Sequence, residues 1–191
     1  MTEMRPTAKE ILLRLLEEGT KARTHFQIWW TLGHLALPRF QPTIYSSEYH
    51  AFFYASRSGH YVLFFLALSK IFDNGERVAS IRELKRALRA EGNTKLALEI
   101  ASRLKPIEPH VKSVLGIRNR SVVHNDHAVT RQEVYELNEI TPDQLRCVID
   151  AACSVINCSA HALGITNFIF DDDRAERATL KLLQTLDRAG A

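Results

Sequence analysis

The stretch RNRSVVHND, residues 118 to 126, sets Arg118 and Arg120 ahead of His124 and places an acid, Asp126, just behind it. These side-chain types suit phosphate chemistry. A guanidinium stays charged and grips two phosphate oxygens with its planar fork, and an imidazole of unperturbed pKa near ~6.5 takes or gives a proton around neutrality. Spacing alone selects nothing, because about two Arg–His pairs separated by four to six residues arise by chance in a chain of this composition. The sequence holds three, namely Arg103 with His110, Arg120 with His127 and Arg118 with His124. Prolines interrupt the first of them.

Helix geometry adds a condition. On a continuous helix Arg118 and His124 point about 120° apart, whereas Arg120 and His124 differ by about 40°. The stretch works as a site if the helix breaks near Ser121, where Val122 and Val123 disfavour it, if Arg120 is the true neighbour of His124, or if a second copy of the chain completes it. Asn119 and Asp126 either cap the turn or orient His124. A metal held by His124, Asp126 and His127 is a further alternative, and the other histidines (25, 34, 50, 60, 110 and 161) have no partner spacing that lifts them above packing or surface roles.

The elements that must position these residues are helices. Thr7 caps a first helix whose inward positions Ile11, Leu15, Ala22, Phe26, Trp29 and Gly33 keep the 3.6 period as far as Pro38, with Gly19 weakening it on the way. PRFQP, 38 to 42, reads as a connection because each proline biases its predecessor away from helix. A second long helix is expected over 46 to 72 with Phe52, His60, Leu63, Ala67 and Ile71 inward. Ser80 and Glu83 form a capping box for a helix ending at Gly92, and Thr94 opens another. Pro106 and Pro109 split the run that leads to Arg118. Two more boxes, Thr130 with Glu133 and Thr141 with Gln144, open a brief helix and a long one that runs to Gly164. Asp171, Asp172 and Asp173 suit a last helix N-terminus, and Leu180, Leu183 and Leu186 dock that helix. No segment alternates at period 2 between hairpin turns. The expectation is an all-α, antiparallel bundle of four to five principal helices with additional short ones, a flexible stretch at 1–6, one domain over 7–191, and a docking helix at about 171–188.

Composition narrows the class. Apolar residues at 46% and charged residues at 25% are ordinary globular values, which exclude a disordered or collagen-like chain. The longest apolar run, YVLFFLAL, is far short of the roughly 18 residues a membrane span needs, and MTEMRPTAKE lacks a signal-peptide core, so a cytoplasmic chain without membrane contact is expected. Cys147, Cys153 and Cys158 lie too far apart along one helix to bridge and read as buried thiols; without a CxxC pair no zinc site is expected. Between residues 80 and 124 ten Lys or Arg face four acids, although the whole chain is only +3. Arg82, Lys85, Arg86 and Arg89 recur at helical spacing and share one face that can track a phosphate backbone or simply lie in solvent. Trp29 and Trp30 beside Phe26 read as core or interface rather than a stacking platform.

Two segments carry a family resemblance. The order Arg118, Asn119, Arg120, an apolar pair, His124, one residue and Asp126 resembles the signature of HEPN proteins, most closely the abortive-infection, AbiU-like branch. LSKIFDNGERVASIRELKRAL, 68 to 88, is similar to that branch's helix ending in Leu or Ile, Phe and Asp, followed by a polar loop and Ser-Ile opening the next helix. The likeness covers roughly 45 to 165. Val123 departs from it, since a small residue such as Ala is expected there. The resemblance implies a metal-independent endoribonuclease without a cofactor, leaving a cyclic phosphate, with Arg and His from two subunits meeting at a homodimer interface. In that reading Arg118 and His124 are catalytic, Asn119 and Asp126 support them, and Arg120, Arg82, Lys85, Arg86 and Arg89 bind RNA. The implied setting is a toxin or phage-defence effector, with an antitoxin among its partners. The alternative is a non-catalytic bundle that binds RNA, a nucleotide or a protein through the same basic surface.

Overall fold

The computed structural model describes residues 5–75, 78–118, 140–165, 170 and 172–190. Among them every regular element is helical: α1 (Ala8–Trp30), a π-helical turn (Thr31–Leu35), α2 (Leu37–Ile44), α3 (His50–Ile71), α4 (Ile81–Ala90), α5 (Thr94–Leu104), a 3₁₀ turn (Lys105–Ile107), α6 (Glu108–Ile117), α7 (Pro142–Ala162) and α8 (Arg174–Arg188). The principal helices α1, α3, α7 and α8 are 23, 22, 21 and 15 residues long. The chain divides into two compact units. One takes Met1–Thr20 and Phe65–Phe170, the other Lys21–Phe64 and Asp171–Ala191, so both α1 and α3 contribute to each.

Local sequence explains most boundaries in the first unit. Thr7 and Glu10 cap α1 reciprocally: the Thr7 N–H donates to Glu10 Oε2 at 2.8 Å and the Glu10 N–H donates to Thr7 Oγ1 at 3.3 Å. A distant residue helps, since the Ala8 N–H donates to Glu91 Oε1 at 2.7 Å. Thr141 and Gln144 form the same reciprocal box at the start of α7, with Pro142 in its first turn. Helices α4 and α7 both end in Schellman turns. Gly92 and Gly164 take φ +82 and +73, the Asn93 N–H reaches the Leu88 carbonyl at 2.7 Å, and the Ile165 N–H reaches that of Ala160 at 2.8 Å. At the start of α4 only half of the expected box forms. Ser80 accepts from the Glu83 N–H, but the Glu83 carboxylate turns to Arg86.

The core of this unit is built from Leu12, Leu15 and Leu16 of α1, Phe65 and Leu68 of α3, Leu84, Leu88 and Ile100 of α4 and α5, Val114 and Ile117 of α6, and Val148, Ala152 and Ile156 of α7, all buried. Helix α4 packs on α5, and α7 receives both α5 and α6. Gly19 lies where α1 meets the chain after α7. A Cβ there would stand 3.0 Å from Phe170 Cζ and 3.2 Å from Ile156 Cδ1. The residue that weakens α1 as a helix is thus what allows close packing.

In the second unit the expected connection at PRFQP is instead the body of α2. Pro38 falls in the first helical turn, where a missing N–H is harmless, and the strain of Pro42 is relieved by a non-helical Phe40 at φ −107, ψ 19. The α-helix of α1 also stops short of Pro38. Thr31 donates its hydroxyl to the Gln27 carbonyl at 2.7 Å, and the Ala36 N–H reaches back to the Thr31 carbonyl at 2.9 Å, closing the wider π turn. Leu32, Ala36, Phe40, Ile44 and Phe53 close a core with Leu183 of α8, with Leu180 and Leu186 packed partly against it.

Two expectations about buried faces are corrected. Phe52 and Leu63 are exposed, and the inward residues of α3 are Phe53, Tyr61, Phe64, Phe65 and Leu68 together with the expected Ala67 and Ile71. Helix α3 is apolar nearly all round, so its periodicity cannot select a face. Of the three cysteines, all thiols, Cys153 is buried, Cys158 half-buried and Cys147 exposed, because positions 147 and 158 fall off the stripe of Val148, Ala152, Val155 and Ser159. The expected helix opened by Thr130 and Glu133 lies outside the described residues.

Replacing Gly19 by Val should cost about 1–3 kcal/mol through overpacking against Phe170 and Ile156. Urea denaturation measures it; an unchanged midpoint would mean the contact gives way freely.

Candidate functional site

The segment FDNG, which follows α3 without a helical signal, forms a short loop held from three directions. Asp73 Oδ1 accepts the Gly75 N–H at 2.6 Å, closing an Asx turn. Arg82, in the first turn of α4, donates to the Asn74 carbonyl. From α6, Arg118 Nη2 approaches Asp73 Oδ2 at 3.7 Å, with both side chains about three-quarters buried (30% and 26% exposed). That separation is an ion pair rather than a hydrogen bond. At such partial exposure it is worth at most about 1 kcal/mol, so its larger effect is to aim the guanidinium.

Arg118 is the C-terminal cap residue of α6 and keeps helical dihedrals, φ −55 and ψ −47. The neighbouring Val114 and Ile117 are fully buried, which fixes the rotation of α6 and with it the direction of Arg118. The two sequence segments singled out above therefore meet in space. Asp73 comes from one and Arg118 from the other, and Arg82 braces the first at the Asn74 carbonyl. Asn119, Arg120, His124 and Asp126 lie outside the described residues, as does the helix break considered near Ser121.

The basic face of α4 is less uniform than its spacing predicts. Arg82 is exposed but anchored on the Asn74 carbonyl, and Arg86 pairs with the buried Glu83 carboxylate. Lys85 is half-buried and Arg89 exposed, and neither makes an ion pair among the described residues. Arg82 makes none either, since the carbonyl that holds it is neutral, so Arg86 is the cation of this face that an acid neutralises. At the end of α5, Arg103 pairs with Glu99 at 2.6 Å, and Glu99 also accepts from the Cys158 thiol at 3.5 Å. Burial pushes that thiol up and keeps it protonated.

A second polar cluster, which spacing could not reveal, sits in the other unit. His25 of α1 and His60 of α3 face each other with Nδ1 atoms 2.8 Å apart, although 35 residues separate them in sequence. One ring must donate and the other accept. Both pKa values fall below the ordinary 6.5, burial being the larger cause for each; Lys21 adds to the shift of His25, and His25 to that of His60. His34 is lowered likewise, by burial and then Arg57, and stacks on Trp30 at 4.5 Å. Trp29 is buried among Phe26, Tyr61 and Phe64, a core role as expected.

The described residues form helices alone, and a helix-end arginine meets the Asp of the upstream Ile-Phe-Asp segment, as an HEPN-like helical domain carrying both family-like segments can. The AbiU2 family model of HEPN proteins matches residues 6–181. The chain belongs to that family. No curated protein and no solved structure matches it.

The histidine pair has a pH consequence. Its folded pKa values lie below the unfolded value, so the unfolded chain binds more protons as pH falls through about 6.5, and the stabilisation present above that pH is lost on acidification. The melting temperature should drop between pH 7 and 5, and His60→Gln should flatten the drop. A slope identical in the variant would exclude the pair as its source.

Proposed function

We propose that the chain is a metal-independent endoribonuclease in which Arg118 and His124 carry the reaction. RNA brings its own nucleophile. The ribose 2′-hydroxyl attacks the adjacent phosphorus, the bond to the 5′-oxygen breaks, and a 2′,3′-cyclic phosphate and a 5′-hydroxyl remain. Two protons move, one off the 2′-hydroxyl and one onto the leaving oxygen, and His124 handles proton transfer. Arg118 binds the non-bridging phosphate oxygens as charge builds on them. Asn119 and Asp126 position these groups, Arg120 binds the backbone, and Arg82, Lys85, Arg86 and Arg89 extend the phosphate track along α4.

The observation that carries the reading is the Asp73–Arg118 pair at 3.7 Å, because it joins the two family-like segments at the residue expected to hold phosphate. Asp73 would then be a positioning residue that keeps Arg118 aimed until substrate arrives. Arg82, Lys85 and Arg89, which make no ion pair among the described residues, support RNA as the polyanionic partner. The proposal extends to a homodimer in which the Arg of one copy serves the His of the other, and to a cytoplasmic toxin or phage-defence effector restrained by an antitoxin. Among the described residues no helix is long and apolar enough to cross a membrane.

Labelled RNAs incubated with the protein in EDTA test this directly. Wild type should cut and leave cyclic phosphate ends, while His124→Ala and Arg118→Ala should each lose about 10²-fold or more. No cleavage by pure wild type, or equal cleavage by the variants, would leave the binding-only reading standing. Asp73→Asn keeps an acceptor oxygen for the Asx turn but removes the charge facing Arg118. It should lower kcat about tenfold at unchanged melting temperature.

A further inference from the structure

The segment from 21 to 64 holds 11 of the chain's 16 Phe, Trp and Tyr residues and four of its eight histidines. Six of those rings, Phe26, Trp29, Phe40, Phe53, Tyr61 and Phe64, are core, but three others come together at the surface. Tyr45, just after α2, is 46% exposed, and Tyr54 on α3 is 57% exposed, with the exposed His50 between them. Their rings follow one another at centroid separations of 5.8 and 6.2 Å, tilted by 33° and 35°. All three line one cleft over an apolar floor of Leu32, Ile44 and Phe53, and Arg57, one turn beyond Tyr54, completes it. The cleft measures about 270 Å³ counted to its open mouth, below the roughly 300–1,000 Å³ of enclosing ligand pockets. A ring therefore lies on it rather than inside it.

Charge narrows the occupant. No acid lines the cleft, and Arg57 makes no ion pair among the described residues. Glu48, the one acid between 21 and 64, engages the Tyr49 hydroxyl instead. A second copy packed symmetrically on this face would set the same cationic, acid-free surface against itself. A surface that sets flat rings beside a cation matches a nucleotide of a strand, which sets a base beside a phosphate.

We propose that this cleft is a single-stranded RNA subsite that takes one nucleotide, the base stacked on Tyr54 and the neighbouring rings and its phosphate on Arg57. The choice of RNA rests on the ribonuclease reading; the ring and cation geometry does not. The subsite lies in the unit that does not contain Arg118, and its task is to hold strand rather than to cut it. A free mononucleotide presents the same chemistry and is separated from a strand by competition.

Binding of a labelled 2′-O-methyl oligouridine, which cannot supply the attacking hydroxyl, reports the subsite without cleavage, followed by fluorescence anisotropy across a salt series. Tyr54→Ala should weaken binding about tenfold and Tyr54→Phe should restore it, since one stacked base accounts for that range. Arg57→Gln should lower the slope of log affinity against log salt by about 0.7, one phosphate contact on a single strand. Phe52→Ala, exposed and aromatic but outside the cleft, should change neither. Uridine monophosphate at millimolar concentration should displace the labelled strand only weakly; full displacement would make the ligand a free nucleotide and overturn the strand assignment. Unchanged affinity in both cleft variants, or an equal loss in Phe52→Ala, would also overturn it. So would a dimer, seen by light scattering, that Tyr54→Ala dissolves while RNA affinity is kept. Should Tyr54→Ala fail to fold, Tyr45→Ala and Arg57→Gln carry the same comparison. Because no cleavage is measured, loss of binding here and loss of cutting at Arg118 are separate results.

Discussion

One carboxylate ties together the loop at which α3, α4 and the end of α6 meet. Asp73 has two oxygens, and each has a different duty: one closes the turn on Gly75, the other faces Arg118. The turn ends α3 and sets the direction in which the chain leaves it. Arg82 then fastens the next carbonyl from α4. Three helices, α3, α4 and α6, are thereby tied at one loop through polar groups. Such a junction is directional in a way that hydrophobic contact is not, and it orients a guanidinium that burial alone would leave to rotate.

How much of this was legible depended on whether the determining contact is local. Thr141 with Gln144, Gly92 and Gly164 were readable because a cap or a Schellman turn involves residues within six positions of one another. The inward stripe of α7 was readable because its outer face is polar. The face of α3 was not, since Phe52 and Phe53 are both apolar and only their neighbours decide which is buried. PRFQP misled because proline's bias against helix fades in a first turn, and nothing local says that a first turn falls at Pro38. The candidate site divides in the same way. Arg118 was identified from its flanking residues, but its approach to Asp73 and the 2.8 Å meeting of His25 with His60 are encounters across tens of residues that no spacing rule records.

The α4 face shows how a charge pattern differs from a charge surface. Four cations at helical spacing look equivalent in sequence. In the fold, Arg86 is matched to a buried glutamate, while Arg82, though bonded to a neutral loop carbonyl, keeps its charge as Lys85 and Arg89 do. Counting lysines and arginines therefore overstates the electrostatic reach of such a helix by the one cation that a neighbouring acid neutralises.

The division into two units has a consequence for biosynthesis. Each unit is assembled from separated stretches, 1–20 with 65–170 and 21–64 with 171–191. A chain emerging from the ribosome makes α1 first, yet the Glu91 carboxylate that helps cap it arrives 83 residues later, and the α8 leucines that close the second core come last. The first unit cannot finish before residues 65–170 are made, nor the second before 171–191. The aromatic-rich surface of 21–64 thus waits, uncovered by α8, until those last residues emerge, and exposed apolar chain is most prone to associate in that interval.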